Sequence, residues 1–156
     1  MDVFNLFGEH EWEAENDRPG YRHRVAAVGA RLGASLLGGS LYELPPGEKT
    51  WPYHYEIGCE EWVVALTGLP TLRGPDGERA LVPGDVVVCP EGPDGAHQVI
   101  NRSEEPCRVL ILSSKSPLAI VHYPDSSKVG LWSQDGGYQA MLRSEPTLDY
   151  WEGEVE

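Results

Sequence analysis

Turns arrive too often in this chain for it to be built from long helices. Pro45-Pro46-Gly47, Gly74-Pro75-Asp76-Gly77, Pro83-Gly84-Asp85 and the stretch from Pro90 to Gly95 cut its middle into short pieces. The pieces read as strands: Arg24 to Ala27, Ala34 to Glu43, Trp51 to Glu56, Glu61 to Leu66, Val86 to Val88, His97 to Ile100, Cys107 to Leu112 and Leu118 to His122. Pro70 to Leu72 and Arg79 to Leu81 flank a hairpin turn. Short strands with turn chemistry between nearly all of them predict an all-β antiparallel barrel or sandwich with little helix. The 18 glycines and 13 prolines, scattered evenly, agree. Gly38-Gly39 predicts a bulge or bend in its strand. Val86 to Val88 reads as buried, and Leu118 to His122 as the last sheet strand.

A length of 156 residues fits a single domain, residues 1–156, able to bury a core without disulfides. The core is expected over about 24–122. A polar, acidic N-terminal arm is expected over 1–20, and an aromatic-rich C-terminal tail over 129–156 that wraps the barrel or meets a second subunit. Fraying is expected from Glu152 to Glu156. The formal charge of −13 argues against nucleic acid and anionic membranes as partners, since both attract a surplus of Lys and Arg. No secretory signal or membrane-spanning run is visible, and the three cysteines show no CxxC spacing. Free thiols and a cytoplasmic location are the expectation.

Chemistry concentrates between Gly47 and Asn101. His54 and Glu56 lie two residues apart, so on an extended strand they share a face. Glu61 opens the run Trp62-Val63-Val64-Ala65-Leu66, and His97 opens Gln98-Val99-Ile100. Four such side chains at strand ends facing one interior would bind a single divalent metal on rigid elements. Cys59, between Glu56 and Glu61, reads as a small buried residue. Tyr53, Tyr55 and Trp62 read as packing, and His10, His23 and His122 as surface or satisfied histidines. No GxSxG, glycine-rich phosphate loop or HExxH is present.

Two half-motifs carry a family resemblance. Gly47, His54, Glu56, Glu61 and Gly68 resemble the first motif of the cupin superfamily, with one extra residue before His54 and Glu56 where the second histidine belongs. Gly84, Pro90, Gly92, His97 and Asn101 resemble the second, with Pro93-Asp94 inserted before His97. The resemblance implies a jelly-roll barrel and carries metal-ligand roles to His54, Glu61 and His97. Glu56 is read as a fourth ligand, with a general base or an outside ion pair as its alternatives.

A set of imidazoles and carboxylates suits one Fe, Mn, Zn or Ni ion. The resemblance thus leads to a metal-dependent enzyme acting on a small organic molecule, of oxygenase, isomerase or lyase type. Val63, Ala65 and Val99 are expected to line an apolar wall. The alternative is a non-catalytic module that binds a sugar or another small metabolite. A homodimer formed by sheet extension is the expected assembly.

Overall fold

The computed structural model describes residues 1–154, so the expected fraying at Val155 and Glu156 lies outside the described residues. The strands are β1 (Ala14–Asn16), β2 (His23–Ala26), β3 (Leu37–Leu44), β4 (Tyr55–Ile57), β5 (Glu61–Thr67), β6 (Pro70–Gly74), β7 (Gly77–Ala80), β8 (Val86–Cys89), β9 (Gln98–Asn101), β10 (Cys107–Ser114), β11 (Leu118–Tyr123), β12 (Lys128–Ser133) and β13 (Gln139–Arg143). One short helix, α1 (Val28–Arg31), joins β2 to β3. The fold is all-β.

The largest sheet runs β1-β2-β3-β10-β5-β8; a second runs β13-β12-β11-β4 and a third β7-β6-β9. Every pairing is antiparallel, which suits a chain whose turns are short. Isolated bridges Lys49–Ile100 and His54–His97 carry the approach to β4 alongside β9. The expected strand from Trp51 to Glu56 is therefore hydrogen-bonded as strand only from Tyr55, and its earlier part touches β9 at single points.

Alternation sorts side chains onto the two faces of the large sheet. Tyr42, Leu44, Val63, Ala65, Val109 and Ile111 point into the barrel with Val99 from β9. Leu41, Leu66 and Leu110 point outward, where Ala26, Val28, Phe4, Leu6 and Trp12 cover them. Leu41 and Leu44 are fully buried, one on each face, and each contributes about 2 kcal/mol of transfer free energy. The N-terminal segment is thus not a loose arm. It seals the outer face of β3 and β10, and its Ala14–Asn16 adds a strand to the sheet.

Three further expectations change. Gly38 and Gly39 pair in register with Ser113 and Leu112, with no bulge. Their role is close approach: a Cβ on Gly29 of α1 would lie 2.9 Å from the Gly39 nitrogen, so helix and strand meet backbone to backbone. Val86 and Val88 are 51% and 44% exposed, because β8 is the sheet's edge and its alternate residues face out. The aromatic-rich tail also joins a sheet. β12 and β13 form a hairpin that extends the sheet past β11, so Leu118–His122 is not the last strand.

Candidate metal centre

Backbone pairing brings the two histidines together. The His54 N–H donates to the His97 carbonyl (3.1 Å) and the His97 N–H returns the bond to His54 (2.8 Å). Their ring centroids lie 4.7 Å apart. Each ring is then aimed by its own loop. His54 Nδ1 donates to the Pro52 carbonyl at 2.8 Å, and His97 Nδ1 to the Gly95 carbonyl at 2.9 Å. A carbonyl only accepts, so both Nδ1 atoms carry hydrogen and both Nε2 atoms are left to face the interior.

Glu61 meets them there. Its Oε2 stands 3.1 Å from His97 Nε2 and 3.7 Å from His54 Nε2. It shares the inward face of β5 with Val63 and Ala65, two and four residues on, and so sits at the mouth above the barrel core. One ligand atom from each of His54, Glu61 and His97 lies within 4.8 Å of the others. Two nitrogens and one carboxylate at this spacing fit a divalent transition metal with positions left open for substrate or water.

Electrostatics tie the three together. Burial works against the Glu61 charge, but hydrogen bonds and attraction from His54 and His97 outweigh it and lower the Glu61 pKa. Burial likewise opposes charge on His97, yet the Cys89 thiol and the Glu61 carboxylate overcome it and raise the His97 pKa. Without a metal, a proton on His97 takes the place of the cation beside Glu61.

Glu56 lines the same cavity but is not in that group of three. Its pKa is raised, first by burial and then by repulsion from Glu61, with Cys59, His54 and His97 opposing. Its backbone carbonyl accepts the Gly92 N–H at 2.7 Å, which ties β4 to the loop before His97. The inserted Pro93-Asp94 forms a 3-10 turn through Gly95 and supplies the carbonyl that orients His97. Asn101, fully buried, donates to the Leu44 and Glu105 carbonyls and holds the far end of that strand.

The cavity measures about 250 Å³, and its apolar wall comes from Tyr42, Trp51, Ile111, Val121, Tyr123 and Trp132. Val63, Ala65 and Val99 are not on this wall, contrary to expectation; they lie below it, buried in the core. Tyr123 reaches the site from the end of β11 and Trp132 from β12 of the terminal hairpin, and His54 stacks on Tyr123 at 6.1 Å. The only trace of Trp132 in the sequence is the aromatic-rich tail.

Cys59 is buried, and its thiol pKa is pushed up to about 11 by burial and by Glu56, so it is no nucleophile at neutral pH. Tyr55 stacks on His122 away from the cavity, and Tyr53 lies under the Arg73 guanidinium. Trp62 is 42% exposed on the outer face of the sheet. His10 stacks on Phe4. His23 departs from expectation: it is buried beside Tyr42 and Trp51, and its Nε2 has no partner among the described residues.

A small antiparallel barrel with two histidines and a carboxylate converging at its mouth defines a class of single-site metal-binding proteins. Residues 40–113 match the family model described as the cupin domain. The chain belongs to the cupin superfamily. It is similar to a sugar phosphate isomerase of the cupin superfamily from Silicibacter pomeroyi, at 28% identity and a TM-score of 0.74, over 82% of this chain and 81% of that one. It also resembles in fold a provisionally assigned sugar phosphate isomerase from Acidithiobacillus ferrooxidans, at 24% identity and a TM-score of 0.76, over 84% and 83% of the two chains. A cupin 2 conserved barrel domain protein from Salinispora arenicola shares the fold at 24% identity and a TM-score of 0.51, over 69% and 92%. No curated protein matches the chain. No helix among the described residues is long and apolar enough to cross a membrane.

Proposed function

We propose that this cupin is a metal-dependent enzyme of isomerase type acting on a small phosphorylated sugar. The observation that carries the reading is the convergence of His54 Nε2, His97 Nε2 and Glu61 Oε2 beside a fourth, separately placed carboxyl on Glu56. His54, Glu61 and His97 would hold one Fe, Mn, Zn or Ni ion. Such an ion, when bound, polarises a substrate carbonyl or hydroxyl oxygen. Glu56 would then move the proton. Burial and Glu61 raise its pKa toward the working range of a general acid–base, the direction this chemistry needs. The aromatic wall would exclude water and pack against the sugar's C–H faces. The likeness to a sugar phosphate isomerase favours isomerisation over oxygenation or lysis.

A second reading, a non-catalytic sugar-binding module, draws on the His97–Glu61 pair, which satisfies the site's charges without a metal. Two measurements separate the readings. The first is elemental analysis of protein purified without chelators, beside the variant H97A/E61A. The second is exchange of substrate C–H for deuterium, followed by NMR, on a panel of sugar phosphates. Stoichiometric metal in the wild type, lost in the variant, with exchange on at least one sugar phosphate supports the enzyme. No metal after iron, manganese, zinc and nickel are offered in turn leaves the binding module. The expected assembly is a homodimer of cytoplasmic protein, paired through the open β8 edge, where Trp62, Val86 and Val88 expose an apolar band.

A further inference from the structure

The metal cavity presents two carboxylates and no Lys or Arg, in a chain of net charge −13. The two carboxylates offset the charge of a divalent ion held there, so the cavity has no surplus positive charge for a doubly charged phosphate. The cavity is also small: at about 30 Å³ per water it holds roughly eight waters' worth of substrate. A phosphorylated sugar placed on the metal therefore needs a second compartment for its anionic end.

One adjoins it. A hollow of about 420 Å³ shares Trp51 and Pro52 with the metal cavity and adds Arg18 and Lys128. The two compartments also touch through Lys128, whose Nζ lies 5.4 Å from the ring centroid of Tyr123 on the cavity wall. Six of the chain's cationic side chains are in ion pairs: Arg22, Arg24, Arg31, Arg73, Arg102 and Arg108. Among the described residues, Arg18 and Lys128 are in none. The carboxylate in the hollow, Asp125, is already engaged by both guanidinium nitrogens of Arg73, at 2.6 and 2.8 Å. Asn16 and Ser126 add polar side chains, and Asn16 Oδ1 accepts the Arg18 N–H at 3.1 Å to fix that turn. A third cation stands behind: Lys49 Nζ lies 4.9 Å from the ring of Tyr21, another wall residue. In a strongly acidic protein, a concave site with two free cations and its one acid neutralised is an anion site.

We propose that this hollow is the phosphate subsite of the enzyme, with Arg18 and Lys128 binding the phosphate ester while the sugar's oxygen-bearing end enters the cavity of His54, Glu61 and His97. The proposal rests on the isomerase reading for its substrate, but the subsite is testable without it. Arg18 and Lys128 set specificity; they bear no role in proton transfer.

The test is calorimetric titration of inorganic phosphate, and separately of acetate, into metal-loaded and chelator-treated wild type, R18A/K128A and the control R79A. The result expected is a single phosphate site, present with or without metal, weakened at least tenfold in R18A/K128A and unchanged in R79A. Acetate should bind at least tenfold more weakly than phosphate in the wild type. Phosphate binding equal in wild type and R18A/K128A would overturn the subsite, as would binding that requires metal and ignores the two cations. Acetate binding as tightly as phosphate would overturn the phosphate assignment in favour of carboxylates. If no metal is taken up yet phosphate still depends on Arg18 and Lys128, the isomerase reading fails and the subsite stands.

Discussion

His54 and His97 are held from behind by the carbonyls of Pro52 and Gly95, so the ligand geometry is set before any ion arrives. Loss of a ligand should therefore cost more than loss of an outer partner, which typically weakens metal binding about 10–100-fold. E61Q and H97A are each expected to lower affinity by about 100-fold or more, read by competition with a chromogenic chelator. Glu56 is expected to behave differently. E56Q should keep the metal and lose about 10²–10⁴ in turnover, the usual contribution of a positioned acid–base; loss of metal in E56Q would instead make Glu56 a fourth ligand. The proton on His97 adds a pH dependence. Because the folded pKa of His97 is raised, an ion must displace that proton, so apparent affinity should climb as pH rises toward that pKa. Titrations in buffers of different ionisation enthalpy would reveal the released proton. At this scale the sequence was informative: the ligand types, their spacing and the alternation that turns Tyr55 away from His54 were legible, whereas the burial of His23 depended on neighbours distant in the chain.

At the level of elements, the terminal hairpin shows how far local reading reaches. β12 and β13 lack a clean alternation, and they are strands because β11 offers them an edge. Trp132 on β12 then reaches the cavity, and Gly130 makes room for it: a Cβ there would lie 1.9 Å from ring atom Cζ3 of Trp132. G130A is expected to fold and to bind metal normally, but to displace the indole from the wall. Ligand affinity should fall about tenfold, equivalent to about 1.4 kcal/mol, measured by calorimetry with a bound sugar phosphate. A wild-type affinity would show that Trp132 does not touch the ligand. The same dependence on partners explains β8. Its valines look like core in the sequence, but a strand at a sheet edge turns half of them outward.

For the molecule as a whole, stability should carry the mark of its ion pairs. Glu43 on β3 lies between Arg24 and Arg108, and its side chain is only 16% exposed. Burial alone would raise its pKa, but the two guanidinium groups outweigh burial and lower it. A lowered folded pKa means that stability is fully present above the unfolded value of about 4.3 and is lost as pH falls through the folded one. E43Q is therefore expected to cost about 2 kcal/mol at pH 7, with the deficit shrinking in acid, as read by urea unfolding at a series of pH values. The assembly is checked by light scattering. W62E should convert a dimer to a monomer while leaving the metal site intact, and an unchanged mass would remove the β8 edge as the interface.

The turns and the strand-length apolar runs determined by themselves an all-β barrel, because turn chemistry and period-two alternation are local properties of the chain, and the resemblance of the two half-motifs pointed to His54, Glu56, Glu61 and His97 as its site. Tertiary structure decided the rest. It seated Phe4, Leu6 and Trp12 on the outer face of the sheet, moved Val63, Ala65 and Val99 from wall to core, and set Tyr123 and Trp132 over the metal site. It also placed Arg18 and Lys128, far apart in the chain, in the lining of one hollow. Such contacts depend on how sheets close on one another, and no short window of sequence records that closure.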